Sequence, residues 1–379
     1  MKIRKTFLTC MILGFIVFAT SCSAHKPVPT VSGAGKQVPA SKSGKPAPDD
    51  TAAKQAPNVG PGKKVSLRGG GATFPALLYE LCVQDFNEQS SNGHVGEYQL
   101  LGSMEGVEQL MRGDMDFAGS DWPLEGNETI LQVPIVAGGV VVIYNIVGVP
   151  RTLNFTPAAL AAIFGGKIRR WNDPAITDAN PEVHLPSAEI VVVHRSDGSG
   201  TTHIFTNFLA HSNTDWSKEN GLVVNWPRGA WFRGVDGNQA VADEVSKTNN
   251  SIGYVEYGYT LDESIGRGFV LNKAKKFVPA SIEGIKRAMP GSETFDSGAV
   301  RMQERFPLAM DPFAYPISGF TWLIWRPDPK KAMAISDFAE WLLGPCQVQA
   351  HSKGYVPIPD WLVKKDLELI AKYRSESIH

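Results

Sequence analysis

The sequence predicts an α/β fold in which strands alternate with helices from about residue 65 to the C-terminus. Short β-branched or apolar runs are followed by segments whose apolar residues recur every three or four positions. Three of these strand-to-helix steps pass through a turn rich in Gly, Ser and Thr. A body of about 315 residues is long enough for two domains, each with a substantial core.

Residues 1–21 have the pattern of an export signal. The segment starts with basic residues, and its apolar stretch at 7–19 is too short for a comfortable membrane span. Ala-Thr-Ser at 19–21 precedes Cys22, which resembles a bacterial lipoprotein processing site, although Leu is more usual in the place of the Ala. We therefore expect a mature chain that begins at a lipidated Cys22. An ordinary signal peptide followed by an incidental cysteine is the alternative.

Residues 22–64 have the composition of a disordered tether. Pro, Ala, Gly, Ser and Lys dominate this stretch, and it contains no aromatic residue. The whole chain carries a formal net charge of −1, whereas the signal and the tether are both basic, so the body is acidic. An acidic body argues against nucleic acid as a partner, because nucleic-acid binding depends on neutralising phosphates.

The stretch at 195–202 joins a predicted buried strand at 190–193 to a predicted helix that includes 203–209. Backbone N–H groups at a helix N-terminus are unpaired and carry partial positive charge, which favours an anion. The stretch adds two glycines for close approach, three hydroxyl donors and one guanidinium: Gly198 and Gly200; Ser199, Thr201 and Thr202; Arg195. A tetrahedral oxyanion such as phosphate fits these donors. The alternative is a well-capped helix, with Asp197, Ser199 or Thr201 as the cap.

Two earlier strand-to-helix turns have the same character. The first follows a strand at 65–67 and leads to Pro75 in the first turn of a helix, with the Thr73 hydroxyl and the N–H groups of Thr73 and Phe74 directed out of the turn. The second joins a strand at 97–101 to a short helix, where Ser103 would cap the helix. Each turn alone is a weak signal, because glycine turns before helices are common.

Other segments complete the α/β pattern. A strand that starts at 116 ends in Asp121, which either forms a turn ahead of a proline or, if it is buried, needs hydrogen-bond partners. Strands are also predicted at 140–144 and 321–325, and helices at 332–343 and 362–373.

The body contains two cysteines, Cys82 and Cys346. Export permits a disulfide between them. Both lie in predicted helices among apolar neighbours, however, and buried free thiols fit equally well. No His or Cys cluster has the spacing of metal ligands, and we expect neither a metal nor a cofactor.

Four motifs, taken in order and spacing, resemble the phosphate-binding proteins of Pst-type ABC importers, the PstS family. They are Gly-Ala-Thr-Phe-Pro at 71–75, Gly-Ser at 102–103, Ala-Gly-Ser-Asp at 118–121 and Arg-Ser-Asp-Gly-Ser-Gly-Thr at 195–201. Supporting matches extend the resemblance over almost everything from residue 65 onwards, at 138–141, 163–171, 251–257 and 315–317. The four motifs together are far more specific than any one of them.

The resemblance implies a two-lobed periplasmic-binding-protein fold of type II, with its ligand in the cleft between the lobes. One lobe would comprise residues 65–141 plus 315–379, and the other residues 142–314. The resemblance also implies high-affinity binding of inorganic phosphate outside the cytoplasm and delivery to the permease subunits of an ABC importer. The protein would be a monomer in the periplasm or at the cell surface, held to the membrane by the lipid on Cys22.

Carried over residue by residue, the resemblance implies a set of phosphate ligands: Phe74 and Gly200 through their backbone, and Thr73, Ser103, Asp121, Arg195, Asp197, Ser199 and Thr201. Arg195 would neutralise the ligand, and Asp197 would orient Arg195. Asp121 is useful only if the ligand carries a proton to donate. Phosphate keeps one near neutral pH and sulfate does not, so Asp121 would select phosphate. Met104 and Glu105 stand where the family usually has small residues.

Two other function classes compete with this interpretation. A phosphatase or phosphotransferase would use a serine as nucleophile, but the sequence has no phosphate-binding loop of the Gly-x-x-x-x-Gly-Lys-Ser/Thr type and no evident general base beyond Asp121. An envelope protein that keeps the fold for surface contacts, or one that binds another oxyanion, is the second. Loss of ligand residues would indicate such a protein, and none is lost.

Overall fold

The computed structural model describes residues 64–126, 129–211, 213, 215–218, 220–261 and 265–378. The predicted signal, Cys22 and all but the last residue of the predicted tether therefore lie outside the described residues. The strands, numbered in chain order, are β1 Val65–Leu67, β2 Gly69–Gly71, β3 Gly93–Val95, β4 Gln99–Leu100, β5 Phe117–Ser120, β6 Leu131–Asn145, β7 Thr152–Phe155, β8 Val191–Arg195, β9 Phe232–Val235, β10 Ser251–Glu256, β11 Gly266–Leu271, β12 Phe277–Val278, β13 Ser318–Trp325 and β14 Val356–Pro357.

Helices alternate with these strands, which confirms the α/β prediction. They are α1 Ala76–Gln89, α2 Ser103–Arg112, α3 Pro157–Phe164, α4 Pro174–Thr177, α5 Gly200–Ala210, α6 Asn238–Lys247, α7 Ile282–Ala288, α8 Ala299–Glu304, α9 Ala332–Leu343, α10 Gln347–Ala350 and α11 Asp360–Ile378. Single turns of 3-10 helix lie at Trp216–Lys218, Tyr257–Thr260, Ser292–Ser297, Phe306–Leu308 and His351–Lys353.

One long strand, β6, joins two halves of the main sheet. Its residues 131–139 pair with β13, and its residues 140–145 pair with β10, antiparallel in both cases. The first half-sheet has the order β4-β2-β5-β13-β6, and the second continues as β6-β10-β8-β9. The predicted strand at 140–144 is therefore the second part of a strand that belongs to both half-sheets.

Parallel pairing brings the ends of several strands to common edges. In the first half-sheet β2 runs parallel to both β4 and β5, and in the second β8 runs parallel to β9 and β10. Ligands of open α/β sheets bind outside the carboxyl ends of such strands. Strands β2, β5, β8 and β9 end at Gly71, Ser120, Arg195 and Val235, next to the predicted motifs or just before α6.

Apolar helix faces cover both half-sheets. Phe338 of α9 packs against Phe86 of α1 and Phe117 of β5, with ring centroids 5.1 Å apart in each case. Under the second half-sheet, Val241 of α6 lies in a buried cluster with Val193 of β8. This packing holds α1, which follows the turn at residues 72–75, and α6, which follows β9, against the half-sheets.

Most predicted elements are present, with three local differences. Helix α9 has the predicted bounds, whereas α11 is longer at both ends than predicted. The predicted glycine turn before Thr73 is in part strand β2, because a Cβ at Gly69 would lie 1.9 Å from the Phe117 ring and only glycine lets the strands pack this closely. Ser103 is not the helix cap: Gly102, with φ of 86°, holds that position, and Ser103 is the first helical residue.

Cys82 and Cys346 form a disulfide, with their Cα atoms 5.5 Å apart. Cys82 lies in α1 as predicted, but Cys346 lies in the turn between α9 and α10 rather than in a helix. The bond joins α1, which follows the turn at residues 72–75, to the C-terminal part of the chain.

Replacing both cysteines by alanine should lower the free energy of unfolding by about 2–4 kcal/mol, because the cross-link restricts the unfolded chain. Urea unfolding of the oxidised protein and of the double variant measures the difference. The same experiment with reductant is the control, since both proteins should then unfold at similar urea concentrations. Equal stability of the two under oxidising conditions would contradict the disulfide.

Candidate anion-binding site

The turn between β8 and α5 holds a buried, charged pair. Arg195 Nε donates to Asp197 Oδ1 at 2.5 Å, and Nη2 donates to Asp197 Oδ2. The Arg195 side chain is 1% exposed, and its Nη1 is buried with no hydrogen-bond partner among the described residues. A guanidinium has five N–H donors, so part of this one is free to bind an anion.

Ser199 caps α5, because its Oγ accepts the N–H of Thr202 at 3.1 Å. The sequence-based alternative of a capped helix is therefore correct for this residue. It does not account for the rest of the turn, since Arg195 and Thr201 are buried and neither takes part in the capping bond.

Ser103 ties three turns together. Its Oγ accepts the N–H of Gly200 at 3.1 Å and the N–H of Asp121 at 3.3 Å. A Cβ at Gly200 would lie 2.6 Å from both Ser103 Oγ and Asp121 Cβ, so only glycine allows this approach. The N–H of Met104 also donates to the carbonyl of Gly198 at 3.0 Å.

Asp121 is a buried carboxyl rather than a surface turn residue. It is 1% exposed, and its Oδ1 accepts the hydroxyl of Thr321 at 2.9 Å while its Oδ2 accepts the hydroxyl of Thr201 at 3.3 Å. Burial raises the pKa of Asp121 to about 7, against the opposing effects of the Thr321 bond, the charge of Arg195 and the Thr201 bond.

The turn before α1 contributes Thr73 and Phe74, and its carbonyl groups are held by tyrosines. Three consecutive carbonyls each accept one phenolic hydroxyl: Ala72 from Tyr98 at 3.1 Å, Thr73 from Tyr259 at 2.7 Å, and Phe74 from Tyr355 at 2.6 Å. A carbonyl oxygen would repel an anion. All three carbonyl oxygens are bound to tyrosine hydroxyls, so the side-chain group that this turn contributes to the polar cluster is the Thr73 hydroxyl.

Asn238, the first residue of α6, is a member of the cluster that the sequence reasoning missed. Its backbone N–H and its Nδ2 donate to Thr73 Oγ1 at 3.1 and 2.9 Å, and Nδ2 also donates to Thr201 Oγ1 at 3.2 Å. Its Oδ1 accepts the N–H of Glu256 at 3.0 Å. Gly237 precedes it with φ of 85°, so the strand–glycine–helix pattern at 232–238 was the available signal.

The structure thus brings all the sequence-predicted residues of the body into one buried cluster or its backbone frame. The N-termini of α2, α5 and α6 are at this cluster, since Ser103, Gly200 and Asn238 are their first residues. Helix N-termini carry partial positive charge, which suits an anion.

Met104 and Glu105, which depart from the family pattern, do not add charge to the cluster. Glu105 is paired with Arg112 at 3.2 Å and accepts from Gln109 at 2.8 Å, with 44% of its side chain exposed. Met104 packs against Gly198, where a Cβ would lie 2.4 Å from Met104 Cβ.

Within the part of the chain that the structure describes, no three His, Cys, Asp or Glu side chains are grouped to hold a metal ion. No described helix is both long and apolar enough to cross a membrane.

A family model for the PBP superfamily domain matches residues 46–345. The chain is 36% identical over 313 residues to the phosphate-binding protein PstS of Xylella fastidiosa, a match that covers 80% of this chain and 84% of the relative. The chain belongs to the PstS family of phosphate-binding proteins. The resemblance inferred from the four motifs is therefore confirmed.

Solved structures of the family have the same fold. A high-affinity periplasmic phosphate-binding protein solved with phosphate matches with a TM-score of 0.61 at 21% identity, over 79% of this chain and 92% of that chain. A phosphate-binding protein from Stenotrophomonas maltophilia matches with a TM-score of 0.57 at 19% identity, over 80% and 93%. The predicted two-lobed periplasmic-binding-protein fold is confirmed.

The buried carboxyl of Asp121 should make the ligand-free protein less stable as pH rises. Its folded-state pKa of about 7 lies above the ordinary value of 3.8, so its contribution to stability is present below pH 4 and lost as pH rises towards 7. Unfolding free energy should fall by up to about 1.4 kcal/mol per pH unit in this window relative to Asp121→Asn. Urea unfolding from pH 4 to 8 measures both proteins, and parallel pH curves would refute the assignment.

Proposed function

We propose that this protein binds inorganic phosphate outside the cytoplasm and delivers it to the membrane subunits of an ABC importer. Its family membership supports the proposal, since the relatives named above are phosphate-binding proteins. The chemistry of the cluster supports it independently, because the cluster combines a buried guanidinium with a buried carboxyl that is not paired with a cation through a hydrogen bond among the described residues.

The observation that carries the proposal is the burial of Arg195 and Asp121 in one cluster. The free Nη1 of Arg195 offers a charged donor to an oxyanion. Asp121, when ionised, can only accept a hydrogen bond, so it suits an oxyanion that still carries a proton. Phosphate meets both requirements near neutral pH, whereas sulfate brings no proton and would leave a buried carboxylate facing a like charge.

The proposed phosphate ligands are the sequence-predicted ones: Phe74 and Gly200 through their backbone, and Thr73, Ser103, Asp121, Arg195, Asp197, Ser199 and Thr201. Asp197 acts by orienting Arg195, to which it is bound through two hydrogen bonds. Asn238 joins the set as the residue that positions the hydroxyls of Thr73 and Thr201.

The ligand cleft of this proposal lies between lobes of residues 65–141 plus 315–379 and residues 142–314. Strand β6 pairs with β13 up to Gly139 and with β10 from Val140 onwards, which supports a boundary near 141. The chain later returns to the first half-sheet at β13. Contacts across this boundary, such as those of Ser103 with Gly200 and of Thr73 with Asn238, would then hold the lobes together.

We further propose that the chain is an exported lipoprotein, anchored through Cys22 in the periplasm or at the cell surface, and that it acts as a monomer. The basic start, the short apolar stretch and the small residues before Cys22 support the export and the anchor.

Catalysis is not part of the proposed function. Both serines of the cluster accept backbone N–H groups, Ser103 from Gly200 and Asp121 and Ser199 from Thr202. Among the described residues neither serine hydroxyl is hydrogen-bonded to a side chain that could act as a general base.

Isothermal titration calorimetry of residues 64–379 tests the function. Phosphate should bind one to one, and sulfate should bind far more weakly. Phosphate at a hundredfold excess over its dissociation constant should also stabilise the fold by about 2.7 kcal/mol. A melting temperature that does not change with saturating phosphate, or sulfate binding of comparable strength, would refute the proposal.

Arg195→Ala should weaken phosphate binding by roughly 2–5 kcal/mol, because it removes the buried cation that faces the anion. Arg195→Lys should restore only part of the loss, since a point charge cannot hold both Asp197 and the ligand with a planar fork. Calorimetry of the two variants beside the wild type gives the comparison. Equal affinity of the Lys variant and the wild type would disprove the geometric role of the guanidinium.

A further inference from the structure

Thr321 lies in the middle of β13 and is fully buried. Its Oγ1 donates to Asp121 Oδ1 at 2.9 Å, the shorter of the two hydroxyl bonds to this carboxyl. The register of β13 against β6 shifts between Thr321 and Trp322, where the facing residue of β6 is Pro134. A proline has no N–H for the ladder, so such an irregularity is expected there.

A second side chain, that of Gln303, links the backbone of Asp121 to the strand that carries Thr321. Nε2 of Gln303 donates to the carbonyl of Asp121 at 2.9 Å and to the carbonyl of Phe320 at 3.2 Å. Its Oε1 accepts the N–H of Phe320 at 2.9 Å. Gln303 is 1% exposed, and it clamps the backbone of Asp121 to the backbone beside Thr321.

We propose that Thr321 is a positioning residue that sets the anion selectivity of the site by keeping the Asp121 carboxyl ionised and therefore able only to accept. This inference rests on the proposed function. Thr321 does not need to touch the ligand; it acts through Asp121.

The chemical reason is the change of role that a proton would bring. A hydroxyl that donates to a carboxylate stabilises the ionised form. Without that bond Asp121 would hold a proton at higher pH and would become a donor. A donor at this place can bind an oxygen of sulfate as readily as one of phosphate, so the site would no longer distinguish the two anions.

Other groups also influence the pKa of Asp121, and they are the same in the wild type and in the Thr321 variants. Thr201 donates to Oδ2, Arg195 favours the ionised form and Asp197 opposes it. Further groups whose own pKa is influenced by Asp121 are Glu256 and the phenols of Tyr79, Tyr98, Tyr259 and Tyr355. Burial already raises the pKa of Asp121 to about 7, so a further rise moves the ionisation across the neutral range.

Sulfate is the probe, because it carries no proton near neutral pH and its affinity reports the protonation of the protein alone. If sulfate binds only the protonated form of Asp121, its dissociation constant should rise tenfold per pH unit above a break point at the pKa of Asp121. Calorimetry or a competition assay from pH 5 to 9 locates the break point in the wild type, Thr321→Val and Thr321→Ser.

Thr321→Val keeps the shape of the side chain and removes the hydroxyl, so the break point should move up by about one to two pH units. Above the wild-type break point, sulfate should then bind about ten- to a hundredfold more tightly than in the wild type. Thr321→Ser retains the hydroxyl and should follow the wild type. Asp121→Asn should bind sulfate with an affinity that does not vary in this way with pH.

A Thr321→Val break point at the wild-type pH would overturn the inference, and so would an equal shift in Thr321→Ser. If Thr321→Val does not fold, infrared titration of ligand-free Thr321→Ala measures the pKa of the Asp121 carboxyl, and Asp121→Asn assigns the band. This pKa should rise by about one to two pH units relative to the wild type. Failure of the wild type to bind phosphate at any pH would instead refute the proposed function, so the two failures are distinguishable.

Discussion

The buried guanidinium of Arg195 is the constraint on which the rest of the site depends. Removing a charge from water costs several kcal/mol unless partners replace the solvent. Asp197 accepts two hydrogen bonds from the guanidinium of Arg195, and the turn before α5 is short enough to place both residues side by side. The pair fixes the orientation of the cation, and Nη1, which has no hydrogen-bond partner among the residues that the structure describes, remains available to a ligand.

Asp121 would be an unfavourable neighbour for a bound anion if its charge were not controlled. Burial raises the pKa of Asp121 to about 7, and the hydroxyl groups of Thr321 and Thr201, which donate to the carboxylate, oppose that rise. The cluster thus contains one permanent cation, one paired carboxylate and one carboxyl whose protonation is adjustable. Under the proposed function, this combination with Asp121 ionised would distinguish anions by whether they carry a proton, a difference that size and total charge would not detect.

The backbone supplies the remaining donors because strand ends from both half-sheets meet here. Helix N-termini follow β4, β8 and β9. Gly102 and Gly200 let the turns approach closely, and Gly237 adopts the positive φ of 85° that the turn into α6 requires. In the turn between β2 and α1, tyrosine hydroxyls occupy the carbonyl oxygens of residues 72–74, so these acceptors are already bound. The polarity of the site therefore depends on how its backbone groups are oriented as well as on which residues it contains.

The sequence by itself determined the α/β class, the strand-to-helix turns and most of the site residues. These features are local: a glycine turn, a hydroxyl at a helix start and an arginine two residues from its aspartate lie within a few positions of each other. Their order was also enough to identify the family, which the comparisons confirmed.

Only the tertiary structure decided which distant residues complete the cluster. Thr321 reaches Asp121 across 200 positions, Asn238 reaches Thr73 across 165, and the disulfide joins cysteines 264 positions apart. No local pattern marks Thr321, because a threonine in an apolar strand is common, and the strand–glycine–helix pattern before Asn238 is a weak signal when it is taken alone. Their roles arise from the pairing of β13 beside β5 and from the placement of α6, which depend on the packing of the whole chain.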